Sequence, residues 1–406
     1  MVSALVNGVK GAKWFSLIDK LVRPSTLEAA WRKVARNKGA GGVDGQNIDR
    51  FGAHAERYLA ELHDDLVSGR YRPQPVKRVD IPKGDGRTRP LGIPTVKDRI
   101  VQQALKMVME PIFEVQFRPG SYGFRPGRSC KDALREVDRL VKEGYTHVVD
   151  ADLKGYFDTI PHDRLMGLVE GSISDGRVLS LVESFLVQDI MNGMERWTPT
   201  TGTPQGAVIS PLLANLYLHP LDRLMETTGR KMVRYADDFV ILCRTEAEAR
   251  AALVAVQEWT AANGLTLHPE KTKIGDCRQP GQGFDFLGYR FEAGQRLVRK
   301  KSLKALKDKV RHKTIRSRGD SLGRIIQDLN PVLKGWFGYF QHARPGAFAY
   351  VDGFVRRRLR AILRKQEKRP GAGRCLNDHQ RWPNRFFANK GLFTLHAAYD
   401  LARHPR

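Results

Sequence analysis

Cysteine is scarce in this sequence, and what there is lies scattered. Its four residues, Cys130, Cys243, Cys277 and Cys375, show no Cys-x-x-Cys spacing. Neither a disulfide framework nor a zinc knuckle is expected, and the chain suits a reducing compartment. Cys375 and His379 come nearest to a metal pair but have no second pair beside them. No stretch approaches the roughly 18 consecutive apolar residues of a membrane span, and the start, Met1-Val-Ser-Ala-Leu-Val-Asn7, has no long apolar segment. A membrane is therefore not an expected partner. The glycine run Gly39–Gly45 lacks the Gly-Lys-Ser/Thr ending of a P-loop and reads as a turn. Acid is also in short supply, with 44 Asp and Glu against 69 Lys and Arg, for a net charge of +25. Such a surface calls for a polyanion. From Arg290 to Arg406 there are 29 Lys and Arg against 8 acids, so 21 of the 25 net charges fall there. A merely soluble basic surface would be spread more evenly.

Against that shortage, one acidic pair sits where packing alone would not put it. In Met232-Val-Arg-Tyr-Ala-Asp-Asp-Phe-Val-Ile-Leu242 two β-prone runs flank Asp237-Asp238. Two residues between such runs predict a tight hairpin turn, and Asp tolerates the positive φ that the turn needs. A solvated Asp-Asp turn is the simpler reading until a second acidic strand end is found. Thr146-His-Val-Val-Asp-Ala-Asp-Leu-Lys-Gly-Tyr-Phe-Asp158 supplies it, with Asp152 closing the strand. Side by side, Asp152, Asp237 and Asp238 would make a hard-oxygen cluster suited to Mg²⁺. Asp150 shares the face of Asp152 but lies deeper, and Asp158 falls beyond the strand end.

Tyr235-Ala-Asp-Asp238, with Asp152-Leu-Lys-Gly-Tyr-Phe157 upstream, resembles the reverse transcriptases, and more narrowly the reverse transcriptase-maturases of bacterial group II introns. The likeness runs in order from about residue 12 onward. It implies an α+β right-hand polymerase, whose fingers and palm carry an antiparallel sheet, followed by an α-helical thumb or maturase domain. Residues 1–75 would be an N-terminal extension and the start of the fingers, 76–290 fingers and palm, 291–373 the thumb, and 374–406 a short basic-aromatic tail. Two Mg²⁺ ions, with Mn²⁺ as a substitute, would sit on Asp152, Asp237, Asp238 and the Leu153 carbonyl. Lys83 and Arg89 match the bases that grip the incoming triphosphate. Phe157 matches the ring under the nucleotide sugar that excludes a 2′-hydroxyl, although an ordinary core aromatic is the competing view. Gln205, in Pro204-Gln-Gly206, would pack on nucleotide and template. Lys271 matches the general acid for pyrophosphate, with Lys273 a near neighbour. Phe286-Leu-Gly-Tyr289 resembles the primer grip.

The implied partners are an intron RNA template, a DNA or RNA primer, dNTPs and a DNA target, in the bacterial cytoplasm and nucleoid. The oligomeric state is left open. Members of the family often carry more residues ahead of this start, and some carry a Cys-rich His-Asn-His endonuclease that has no counterpart in this sequence's last residues. A reverse transcriptase domesticated for DNA repair or phage defence is one alternative, and a protein that chiefly binds RNA to assist splicing is another.

Local patterns fill in the rest. Ser25-Thr-Leu-Glu28 predicts a capping box, and Asp98-Arg99 the start of an amphipathic helix. Phe117–Gly127 is an aromatic-basic loop in which Tyr122 and Phe124 could either stack on bases or anchor the core. Beyond residue 300, three amphipathic helices predict a bundle, the second interrupted near Pro331 and the third with Arg356-Arg-Arg358 on its exposed side.

Overall fold

Val76–Pro82 (β1) and Thr88–Ile93 (β2) pair antiparallel, Val79 opposite Leu91 and Pro82 opposite Thr88, giving the hairpin that two apolar edges around a polar tip require. The computed structural model describes residues 13–82 and 88–403, so the tip and Lys83 lie outside the described residues. A second sheet contains His147–Asp152 (β3). Ile190–Asn192 (β4) runs parallel to β1 and pairs with Glu195–Trp197 (β5), completing the order β2-β1-β4-β5.

The second sheet has the order β6-β7-β3-β8, where β6 is Lys231–Tyr235, β7 is Asp238–Cys243 and β8 is Lys273–Asp276. Its apolar residues Val149, Ala151, Phe239 and Ile241 join one core with Leu212, Leu213, Leu216 and Tyr217 of the Ser210–Thr227 helix. Strand alternation therefore sends Val149 and Ala151 inward and leaves Asp150 and Asp152 on the other face.

Two helix starts differ from expectation. The helix Pro24–Arg36 has Pro24 in its first turn and no side-chain cap, because proline already removes an orphan N–H; Ser25 forms no capping box, and Glu28 pairs with Arg32 instead. The helix Val96–Glu114 begins before Asp98, capped by Thr95, whose hydroxyl accepts from Asp98 N at 3.1 Å. Asp98 is buried and accepts from the Tyr71 hydroxyl at 2.5 Å.

The chain forms two compact units, residues 1–145 with 149–274, and residues 146–148 with 275–406. In the second, Phe284–Phe286 (β9), Tyr289–Glu292 (β10) and Gln295–Val298 (β11) form a meander followed by helices Lys300–Lys313, Leu322–Phe340 and Gly346–Gln366. The middle helix runs through Pro331 without a break. Leu329 and Leu333 are fully buried on either side, and their burial outweighs the one hydrogen bond that proline forfeits. Arg356, Arg357 and Arg358 are half-buried rather than exposed, and Arg358 donates to the Thr314 hydroxyl at 2.7 Å. The segment expected as a tail forms three short helices, Leu376–Arg381, Asn384–Asn389 and Leu395–Arg403, with Trp382 and Phe387 buried. No helix among the described residues is long and apolar enough to cross a membrane.

One carboxylate fastens the start of the described chain to the first unit. Asp175 accepts from Leu17 N and Ile18 N at 2.7 and 2.8 Å, and from Arg177 N and Val178 N at the start of the Gly176–Leu186 helix. Burial works against its charge, but four backbone N–H groups outweigh burial and hold its carboxyl below the ordinary range. Its stabilising contribution is therefore complete above the ordinary carboxylate pKa and is lost as pH falls through the depressed folded value. Asp175→Asn should cost about 1.5–3 kcal/mol at pH 7 in urea denaturation. The gap to wild type should stay constant down to about pH 5 and close only below the ordinary carboxylate range. A gap that closed between pH 8 and 6 would assign it to another group.

Candidate active site

The acidic turn is built one residue earlier than the sequence suggests. Tyr235 pairs with Asp238, so the two turn residues are Ala236 and Asp237, and Asp238 opens β7. The positive φ, 60°, falls on Ala236 rather than on an aspartate. An alanine in the left-handed region costs about 1–2 kcal/mol and needs surroundings that impose it. Two groups do so. Arg234 Nη1 donates to Ala236 O at 2.8 Å. The loop before Phe124 lies against the same turn, with Arg234 N donating to Gly120 O and Tyr122 N to Arg234 O, both at 2.8 Å. Gly123 is required there, because a Cβ would come within 2.3 Å of Ala236 N.

Asp152 closes β3, and its backbone carbonyl accepts from His268 N at 2.7 Å, which brings the 265–273 segment alongside. Lys271 Nζ then reaches Asp152 Oδ2 at 2.6 Å, while Lys273 lies 3.7 Å from Asp150. The alternation that separates the two aspartates thus also sorts the two lysines. Burial, and next among the charges Asp152, push the Asp237 carboxyl above its ordinary range, with Arg89 and Arg234 opposing.

As the side chains stand, no group of three or more His, Cys, Asp or Glu among the described residues converges to hold a metal ion. The donor set nevertheless fits a hard divalent cation. Asp152 already takes up a cationic nitrogen, and Asp237 is raised by a like charge that a cation would neutralise.

Arg89, Gln205 and Asp158 are joined in a chain. Arg89 Nε donates to Gln205 Oε1 at 2.7 Å, and Gln205 Nε2 donates to both Asp158 oxygens at 3.1 Å. The Gln205 loop is clamped to β2 by a bond from Gly92 N to Gln205 O at 2.6 Å. Phe157, Asp158, Gln205 and Gly92 line one cavity of about 450 Å³. Phe157 is half-buried, packed against the core and among the residues that line that cavity. Of the expected primer grip, only the turn residues Leu287 and Gly288, both at positive φ, approach the surface of the second unit. Phe286 and Tyr289 are buried because they pair across that turn, and the Tyr289 hydroxyl donates to Tyr339 O at 2.6 Å.

Sequence reasoning passed over Arg234 and Gly123, and set Asp158 aside as lying beyond the strand end. A charged residue in the middle of the apolar run Met232-Val-Arg-Tyr235 was the available signal for the first.

Residues 81–291 match the family model for reverse transcriptase (RNA-dependent DNA polymerase), and residues 303–382 match the group II intron maturase-specific domain. The chain belongs to the group II intron reverse transcriptase-maturase family. This reverse transcriptase is similar to Protein YkfC of Escherichia coli (strain K12), 38% identical over 331 residues, covering 70% of this chain and 84% of YkfC. It is also similar to the group II intron-encoded protein LtrA of Lactococcus lactis subsp. cremoris, 38% identical over 208 residues. That match covers 50% of this chain and 34% of LtrA. Among solved structures, a partial Cas6-RT-Cas1--Cas2 complex is 27% identical, covering 61% of this chain and 41% of that one at a TM-score of 0.39.

The close approach at Gly123 gives a test of how the reverse transcriptase holds its acidic turn. Gly123→Ala should lower kcat for DNA synthesis at least about tenfold, since a turn displaced by a fraction of an ångström misplaces Asp237. Circular dichroism and RNA affinity should be unchanged. Normal kcat in single-turnover primer extension would show that the loop does not position the turn.

Proposed function

We propose that this reverse transcriptase copies intron RNA into DNA with the acidic turn and adjoining cavity of its first unit, and holds that RNA through its second unit to assist splicing and mobility. The observation that carries the reading is that β7, which follows the Asp237 turn, lies beside β3, which ends at Asp152, in one sheet, together with a cavity lined by Phe157 and Gln205. Asp152, Asp237 and Asp238, with the Leu153 carbonyl, would hold two Mg²⁺ ions, for which Mn²⁺ can substitute. When bound, such ions activate a primer 3′-hydroxyl and stabilise the departing pyrophosphate.

The side chains account for the remaining steps. Arg89, exposed at the loop end of the β1–β2 hairpin, binds the triphosphate with Lys83. Gln205, fixed between Arg89 and Asp158, presents its amide edge to the nucleotide. The Phe157 ring leaves no room for a 2′-hydroxyl. Lys271 supplies a proton to the leaving pyrophosphate. Leu287 and Gly288 steady the primer. The surplus of basic residues after Arg290 supports the RNA-holding role, and a DNA target in a bacterial nucleoid would be the destination of the product.

Asp237→Asn keeps the shape of the side chain and removes one charge. Synthesis of cDNA should fall by at least about a hundredfold while RNA affinity and its steep salt dependence persist. Near-normal synthesis would remove Asp237 from the catalytic set, and parallel loss of RNA binding would mean that the fold was damaged. Phe157→Ala should admit ribonucleotides, read as a fall of at least about tenfold in the dNTP over rNTP ratio of kcat/KM. An unchanged ratio would return Phe157 to the core alone.

A further inference from the structure

The helix Gly346–Gln366 carries Gly353, Arg356, Arg357 and Arg360 at i, i+3, i+4 and i+7, along one face. Gly373, Arg374, His379 and Asn384 close the opposite side of a cavity of about 300 Å³ over that face. No carboxylate and no ring of Phe, Tyr or Trp lines it. Among the described residues, none of the four arginines forms an ion pair. The acids whose charges are felt at Arg356 and Arg360 are engaged elsewhere. Asp352 accepts from Leu395 N and His396 N, both at 3.0 Å, and Asp378 is paired with Arg364 at 2.6 Å.

Three details show that the cavity is built rather than incidental. Arg360, 2% exposed, is fixed by bonds from Nε to Trp382 O at 2.9 Å and from Nη2 to Asn384 Oδ1 at 3.0 Å. Arg356 Nε is buried with no hydrogen-bond partner, a donor left waiting for an acceptor. Gly353 sits in the helix interior, where glycine is disfavoured, yet a Cβ there would meet nothing within 4 Å. Packing does not require that glycine; its effect is to keep the cavity open. Gly373 acts oppositely. At φ 70° its α-carbon approaches the helix so closely that a Cβ would come within 2.7 Å of Ala361 N, and this brings Arg374 to the rim.

We propose that this cavity is a phosphate site, in which Arg356, Arg357, Arg360 and Arg374 receive one phosphate group of an RNA. Guanidinium forks match a tetrahedral oxyanion, and a lining with neither acid nor aromatic ring suits neither a cation nor a stacked base. The phosphate is either a backbone phosphodiester or a terminal monoester, both of which present the same oxygens. The assignment deepens the RNA-holding role of the second unit and rests on that role only for the source of the phosphate.

The test uses the full chain, with calorimetry against inorganic phosphate and fluorescence anisotropy with two short RNAs that differ only in a 5′-phosphate or a 5′-hydroxyl. Arg357→Gln with Arg374→Gln, two side chains that carry no fold-holding hydrogen bond, should weaken inorganic phosphate at least tenfold. Extension of a short annealed primer-template should be unchanged. Gly353→Ala, which favours the helix, should also weaken phosphate by filling the opening. If the phosphorylated RNA binds wild type at least tenfold tighter and the double variant erases the difference, the site takes a terminal phosphate. If the double variant weakens both RNAs equally, it takes the backbone. Absence of saturable phosphate binding in wild type, or a double variant that binds phosphate and both RNAs as wild type does, overturns the site. Phosphate binding that is lost in the double variant while RNA affinity stays intact overturns the RNA assignment alone.

Discussion

One buried guanidinium holds the acidic turn in place. Arg234 is wholly inaccessible, and all five of its N–H groups are spoken for. Nε and Nη2 reach the two Asp222 oxygens at 2.7 and 2.5 Å; Nη2 also reaches the Ser121 hydroxyl at 2.8 Å; Nη1 reaches Asn215 Oδ1 at 2.9 Å and Ala236 O at 2.8 Å. The Ser210–Thr227 helix, the loop before Phe124 and the hairpin turn are thereby fixed to one another. A buried ion pair of this kind gains little over a hydrophobic substitute, but breaking it costs about 3–5 kcal/mol. Its value here is geometric. A fork with five directed donors can hold Ala236 in a left-handed conformation, which an apolar side chain could not do.

The same principle, charge met by charge before any substrate arrives, governs the rest of the site. Asp152 has Lys271, Asp150 has Lys273, and Asp158 receives Gln205, which in turn receives Arg89. At Asp237 burial and Asp152 penalise the charge, and Arg89 and Arg234 offset only part of that penalty. A site whose like charges are only partly compensated gains when cations enter, and the carboxylates gain most where they are least solvated. Gln205 has a different task, since its amide can present only one face to Arg89 and the other to Asp158. That polarity fixes its orientation without a metal or a substrate.

Much of this was legible in the sequence, because it depends on periodicity and spacing. Apolar β-prone runs marked β3 and the strands around Asp237, and strand alternation set Asp150 and Asp152 on one face. The residues brought together by tertiary contact were not legible. Whether the two-residue turn was Asp237-Asp238 or Ala236-Asp237 depended on a register set by Tyr235 pairing with Asp238, and on a strained φ that only Arg234 and Gly123 explain. Pro331 reads as a break in any local scheme, yet the burial of Leu329 and Leu333 overrides it. Three consecutive arginines read as a solvated face, although half-burial of the stems and the bond from Arg358 to Thr314 set them against neighbouring helices. Phe286 and Tyr289 read as part of the primer grip, and their burial was not legible because a short hairpin gives no sign, from sequence, of which side is covered.

The uneven charge of the chain follows from an electrostatic conflict. A polymerase centre needs concentrated carboxylates to attract cations, yet carboxylates repel the phosphates of the template. Strong basic charge beside them would resolve the repulsion but would pair with the carboxylates and compete with the cations, as Lys271 already does at Asp152. Concentrating the basic charge in a different stretch of the chain from the carboxylates lets a polyanion be held by residues that are not interleaved with them in sequence. The sequence is arranged in that way. Only 4 of the 25 net positive charges belong to the residues before Arg290, which include Asp152, Asp237 and Asp238; the other 21 fall from Arg290 onward. Loss of catalytic charge and loss of RNA affinity should consequently be separable by mutation, because each depends on side chains that the other can do without.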